Sequence, residues 1–177
     1  MLPTFLKFRP TRGTPNEVKA FWINVYNVNI VKLFAENYPL KSINYIRDPF
    51  QMKFISFDGE QISLNYIANE ILKPFDDARI HFALYTTAIS SPILKNTAFS
   101  AETLENDLNA STSLYINDPT KNSIMVKKAS LSKIFEWNIT DFVGKNNIVS
   151  FINTFSQVNI NEETTISFTE FNWNLNK

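Results

Sequence analysis

The chain of 177 residues contains no cysteine, only three glycines and a single histidine, His81. The missing thiol excludes disulfides, thiolate metal ligands and a cysteine nucleophile. It leaves the compartment open, because a cysteine-free chain suits either side of a membrane. One imidazole excludes multi-histidine metal sites and the two-histidine, one-carboxylate iron site. None of the three glycines belongs to a G-x-G-x-x-G or P-loop run, so the usual phosphate cradles are absent. No metal and no cofactor are therefore expected. Charge of one sign is also missing: 17 Lys plus Arg balance 17 Asp plus Glu. A neutral chain has no general attraction for nucleic acid or an anionic membrane, so no nucleic-acid partner is expected. No run of 18 apolar residues occurs, and no integral membrane segment is expected. The start, MLPTFLKFRPTRG, lacks the basic region and continuous apolar core of a secretory signal.

What is present is material for a core. Hydrophobic residues make up 44 % and aromatics 14 %, including 16 Phe. That excludes a disordered chain and fits one domain that needs no covalent staples. Residues 1–14 read as a poorly ordered N-terminal segment and 15–177 as a single domain.

Thr14-Pro15-Asn16-Glu17 opens a helix. Thr14 can cap it, Pro15 suits the first position, and Glu17 can reach back to the cap. The helix should run to about Tyr38, stopped by Pro39. Its apolar groups go nearly all the way round, leaving a thin wet edge at Lys32 and Glu36, so it is expected to be a core helix. Asn24 and Asn27 share one face of it. A buried amide needs partners, so the pair either ties down a neighbouring loop or lines a site.

Lys53–Phe57 and Glu60–Leu64 flank Asp58-Gly59 and predict a β-hairpin. Ser63 can cap a short helix reaching Leu72 and ending at Pro74. Arg79–Tyr85 is a buried helix or strand, undecided by its period. A helix is predicted over roughly Ala101–Asn117, capped by Ser100. Ile124–Val126 reads as a strand, Leu131–Phe135 as a short ambiguous element, Asn147–Phe155 as a helix and Thr165–Phe171 as a final strand. Helices and short strands mix without a steady βαβ rhythm, so the expected class is α+β.

His81 is the only side chain with an ordinary pKa near neutrality. A hydroxyl nucleophile with an adjacent base is chemically available, since Thr86, Thr87, Ser90 and Ser91 follow it closely. The bland alternative is a lone histidine hydrogen-bonded in a core.

Four segments, FWINVYN (Phe21–Asn27), ISLNYIANEIL (Ile62–Leu72), RIHFALYTTAISSPIL (Arg79–Leu94) and LSKIFEWNITDF (Leu131–Phe142), resemble in order and interval the family catalogued as domain of unknown function 547. The closing FNWNLN (Phe171–Asn176) resembles that family's terminal aromatic signature. The resemblance implies one compact domain, frequent in exported bacterial proteins, and brings no established reaction. It places Trp22, Asn24, Tyr26, Asn27, Ser63, Leu64, Arg79, His81, Ser90 and Pro92 on recurrent motif positions, a set suited to a shared pocket. Thr86 and Ser91 stand where many bacterial members carry cysteines, so any thiol chemistry of the family is absent here. Relatives also continue upstream of the first long helix. A missing first element would expose part of the core and invite homo-oligomerisation.

Three functions follow. The favoured one is a non-catalytic or degenerate domain binding a small molecule or peptide in a polar pocket around His81, with Asn24, Tyr26, Asn27, Arg79, Thr86 and Ser90 as binding residues. The second is a hydrolase or acyl-transferase with Ser91 as nucleophile and His81 as base. The third is a purely structural or interaction domain. On all but the third, Asn24, Asn27, Arg79 and His81 are expected to converge.

Overall fold

Thr14 and Glu17 form the expected reciprocal cap: Thr14 N donates to Glu17 Oε2 at 2.6 Å, and Glu17 N donates to Thr14 Oγ1 at 3.3 Å. They open helix α1, Pro15–Glu36, in a computed structural model that describes residues 13–142 and 147–176. Most of the N-terminal segment expected to be poorly ordered, residues 1–12, thus lies outside the described residues. Helix α1 stops two residues short of Tyr38. Trp22, Ile23, Tyr26, Ile30, Leu33 and Phe34 are buried, while Phe21, Val28 and Val31 remain exposed. The outer edge is therefore broader and more apolar than the expected wet strip at Lys32 and Glu36. Burying six large side chains supplies on the order of 10 kcal/mol of gross hydrophobic stabilisation.

Strands β1 (Ile55–Phe57) and β2 (Glu60–Ile62) form the predicted hairpin, with Ile55 opposite Ile62. Asp58 (φ 49°) and Gly59 (φ 83°) both adopt positive φ, as this two-residue turn demands. Ser63 caps the next segment, its Oγ accepting from Tyr66 N at 3.1 Å. The predicted single helix is instead a succession: one α turn, α2 (Leu64–Tyr66), a wider π stretch (Ile67–Leu72), and a 3-10 turn (Lys73–Phe75) carrying Pro74. The Arg79–Tyr85 ambiguity resolves to neither strand nor α-helix. Ala78–Phe82 is a 3-10 turn, short enough that no period could mark it.

Helix α3 spans Leu104–Ile116, later than expected because residues 101–103 form a turn. Strands β3 (Ser123–Met125) and β4 (Lys128–Ser132) pair antiparallel. The ambiguous Leu131–Phe135 segment is a junction: Ser132 ends β4 and caps helix α4, Lys133–Trp137. A 3-10 turn, Ile139–Phe142, and helix α5, Ile148–Phe155, follow. Strand β5, Thr165–Thr169, then returns parallel to β4, giving sheet order β3-β4-β5.

The whole is a single α+β domain with two adjoining apolar clusters. One gathers α1, the hairpin, Leu64–Leu84 and the start of α3. The other gathers the end of α3, β4, α4, α5 and Phe171. Trp173 packs against both. Beyond it the tail is laced to two distant loops: Leu175 N donates to Lys41 O at 2.7 Å, Ile89 N to Asn174 O at 2.8 Å, and Asn176 N to Thr87 O at 3.0 Å. Among the described residues no helix is long and apolar enough to cross a membrane.

Candidate functional site

The Ala78–Phe82 turn positions His81. Asp77 starts it by accepting from Arg79 N at 3.2 Å. Ile80 and Phe82 bury themselves on either side, which leaves His81 at a partly covered boundary. The Ile139–Phe142 turn stands opposite and presents Asp141. His81 Nε2 lies 2.7 Å from Asp141 Oδ2. The other carboxylate oxygen, Oδ1, lies 3.3 Å from Lys73 Nζ. The His81 and Asp141 side chains retain 19 % and 17 % of their exposure, whereas Lys73 keeps 45 % and sits at the mouth.

Burial is the largest influence on His81 and pushes its pKa below the ordinary value; Asp141 offsets this in part. Burial pushes Asp141 up, but its hydrogen bond and charge contact with His81, and then Lys73, outweigh that and hold the carboxyl below the usual range. At neutral pH the pair is thus a neutral imidazole against a carboxylate. A carboxylate only accepts, so the hydrogen bond assigns the ring proton to Nε2 and leaves a lone pair on Nδ1.

His81, Asp141 and Lys73 wall a hollow with Asp76, Asp77, Ala68, Leu72, Ile80 and Leu84, of cavity volume about 20 Å³. That holds about one water-sized group. Asp76 and Asp77 are also walls of a larger open cleft of about 530 Å³, which Arg79, Asn109, Ser150, Thr154, Phe75, Phe151 and Phe155 complete with Ala78.

Arg79 belongs to the cleft rather than to the hollow. Its guanidinium grips Asp77 with two bonds of 2.8 Å, donates to Glu105 Oε2 at 2.7 Å and to Asn109 Oδ1 at 2.7 Å. Buried Lys19 adds contacts to Asp77 at 3.2 Å and Glu105 at 3.4 Å. For Asp77, burial acts upward, but Arg79 and Lys19 together hold the carboxyl below its ordinary value. Two cations and two carboxylates thereby close a neutral network under the turn that carries His81.

The two amides of α1 lie elsewhere. Asn24 clamps Phe99, donating to its carbonyl at 2.8 Å and accepting from its amide at 2.9 Å. Asn27 donates to Ala83 O at 2.9 Å and accepts from Tyr85 N at 2.9 Å. Both border a third groove with Val28, Val31 and residues 94–99. The expected convergence of Asn24, Asn27, Arg79 and His81 on one hollow is therefore corrected: they line three. The amides tie down loops, as the blander alternative held. Tyr26 is buried in the core, where desolvation pushes its phenol up.

Ser91 is 1 % exposed, and its Oγ accepts from Thr86 N at 2.8 Å. Ser90 Oγ accepts from Asn172 N at 2.9 Å. Among the described residues, no serine or threonine hydroxyl hydrogen-bonds to His81, so the contact required by the Ser91–His81 nucleophile reading is not formed. The Thr86 and Thr87 hydroxyls and the Trp22 indole N–H are buried without partners among the described residues. Thr87 also sits at φ 65°, an uncommon conformation for a β-branched residue. Asp141 and Lys73 were not singled out from sequence. The only hint was Asp141's place in the NITDF stretch, since its contact with His81 spans 60 residues.

No curated protein and no solved structure matches the chain. The model of a family described as "Protein of unknown function, DUF547" matches residues 10–116, well over half the chain. That span contains Lys73, His81 and the whole Lys19–Asp77–Arg79–Glu105 network, and it ends before Asp141. The protein is a member of the DUF547 family.

Proposed function

We propose that this chain is a ligand-binding domain whose polar site is the His81–Asp141–Lys73 hollow together with the adjoining cleft. The observation that carries the reading is the 2.7 Å His81–Asp141 contact on the hollow wall. It spends Nε2 and leaves Nδ1 as an acceptor for an incoming hydroxyl or ammonium. The hollow admits only the tip of a ligand. The body would rest in the cleft, whose mixture of Phe side chains with Arg79, Asn109, Ser150 and Thr154 suits a small polar molecule or the end of a peptide. Asp77 is spent on Arg79 and Lys19, whereas Asp76, which also borders both spaces, favours a tip that donates a hydrogen bond.

His81 is the sole histidine, so its ring signals in NMR report on the hollow without ambiguity. Titration with small amines, polyols, amino acids and dipeptides should move the His81 ring resonances for one of these classes. The same compounds should lose at least tenfold in affinity against His81→Gln. A panel that leaves the ring unmoved at millimolar concentration, or binds His81→Gln undiminished, refutes the site.

A further inference from the structure

Helix α1 carries a second feature that the His81 site does not use. A helix apolar on nearly every side belongs inside a protein, yet among the described residues one face of this one is largely uncovered. Phe21, Val28 and Val31 retain 43 %, 64 % and 38 % of their exposure. With Asn24 and Ala35 they recur at alternating intervals of three and four residues, the spacing of a helix–helix seam. Asn24 is no polar intruder there, because both ends of its amide are spent on Phe99. Beside the seam lies the groove of about 350 Å³ between Val28, Val31 and residues 94–99. Its far rim bears Leu94, with Ile93 next to it, at 41 % and 62 % exposure.

We propose that this face is a homodimer interface, in which two copies pack α1 against α1 antiparallel across a two-fold axis through Val28. Three observations favour a second copy over another occupant. The surface is self-complementary: a two-fold through Val28 sets Val28 against its own copy, Val31 against Val25 and Phe21 against Ala35, apolar on both sides, as a face paired with itself requires. The charge pattern permits the pairing. Lys32 and Glu36 neutralise each other at 3.7 Å and Lys95 is held by Asp107 at 2.6 Å, while the two-fold sets Lys32 against the Asn24 turn rather than against another cation. The size also fits. The exposed parts of Phe21, Val28, Val31, Ile93 and Leu94 amount to roughly 450 Å² of surface, main chain included, within the range of a monomer's largest patch. With a polar rim in the usual proportion this reaches about 800 Å² a side, the area of a standard specific interface.

Sedimentation velocity on the full chain should show a monomer–dimer equilibrium at micromolar concentration. Val28→Glu should weaken it at least a hundredfold, with an unchanged melting curve when both proteins are diluted until monomeric, because the position is then largely in solvent. Val28→Lys should do the same, and mixing the two variants should restore the dimer, since position 28 meets itself across the axis. The absence of cysteine allows a positional check: Val28→Cys should form an interchain disulfide with diamide, and Leu114→Cys, equally exposed on α3, should not. A wild type that stays monomeric at several hundred micromolar, a dimer indifferent to Val28→Glu, or equal cross-linking at position 114 overturns the proposal.

Discussion

Removing the Asp141 carboxylate tests the geometry at its centre. In Asp141→Ala the His81 Nε2–H loses a charged acceptor 2.7 Å away while remaining four-fifths buried. A hydrogen bond to a charged partner contributes about 1.5–3 kcal/mol, and the part-exposed Lys73 contact adds at most about 1 kcal/mol. The expected loss is about 2 kcal/mol at pH 7.5, measured by urea denaturation. Asp141→Asn keeps an acceptor oxygen and should lose under about 1 kcal/mol. Both changes remove what offsets burial, so both should drive the His81 titration midpoint further down. With one histidine the midpoint is read from a single imidazole Cε1–H signal. Ring 15N shifts should show the Nε2–H tautomer in the wild type. A midpoint that stays or rises in both variants, or an Nδ1–H tautomer in the wild type, refutes the pairing.

Further outcomes follow from the same contacts. His81 is depressed in the folded state, so below its ordinary value of 6.5 the unfolded chain takes the proton first. Stability should be level above that pH and fall on acidification, at up to about 1.4 kcal/mol per pH unit, until the folded midpoint is passed. Denaturation curves between pH 7.5 and 5.5 should show this slope in the wild type and lose it in His81→Gln. Asn27→Ala strips partners from the Ala83 carbonyl and Tyr85 amide and should cost about 2–3 kcal/mol in the same assay. Gly59→Ala meets no atom within 4 Å but must adopt φ 83°, so a melting curve should report a loss of about 1 kcal/mol from backbone strain alone.

The parts of this fold legible in the sequence are those fixed by neighbours in the chain. The Thr14–Glu17 cap and the Asp58-Gly59 turn are satisfied within a few residues, and their chemistry names them. The Leu64–Phe75 segment kept its helical sense but not its regularity, because the widening at Ile67–Leu72 buries Ile67, Ile71 and Leu72 against α1, a tertiary demand. The site was half legible. His81 stood out as a lone imidazole, whereas Asp141 and Lys73 resemble any surface charges until the turns bring them together. Asn24 and Asn27 show the opposite failure: their helical spacing correctly put them on one face, but facing loops rather than a ligand.

The laced tail has a consequence for biosynthesis. Residues 172–176 close against Lys41 and Thr87–Ser90, segments that leave the ribosome far earlier. While that stretch is still inside the exit tunnel, the backbone groups it will engage face water and Trp173 cannot join the two apolar clusters. The nascent domain therefore waits, part-built, until residues 172–176 emerge, and translation halted before that stretch would leave a chain that never locks.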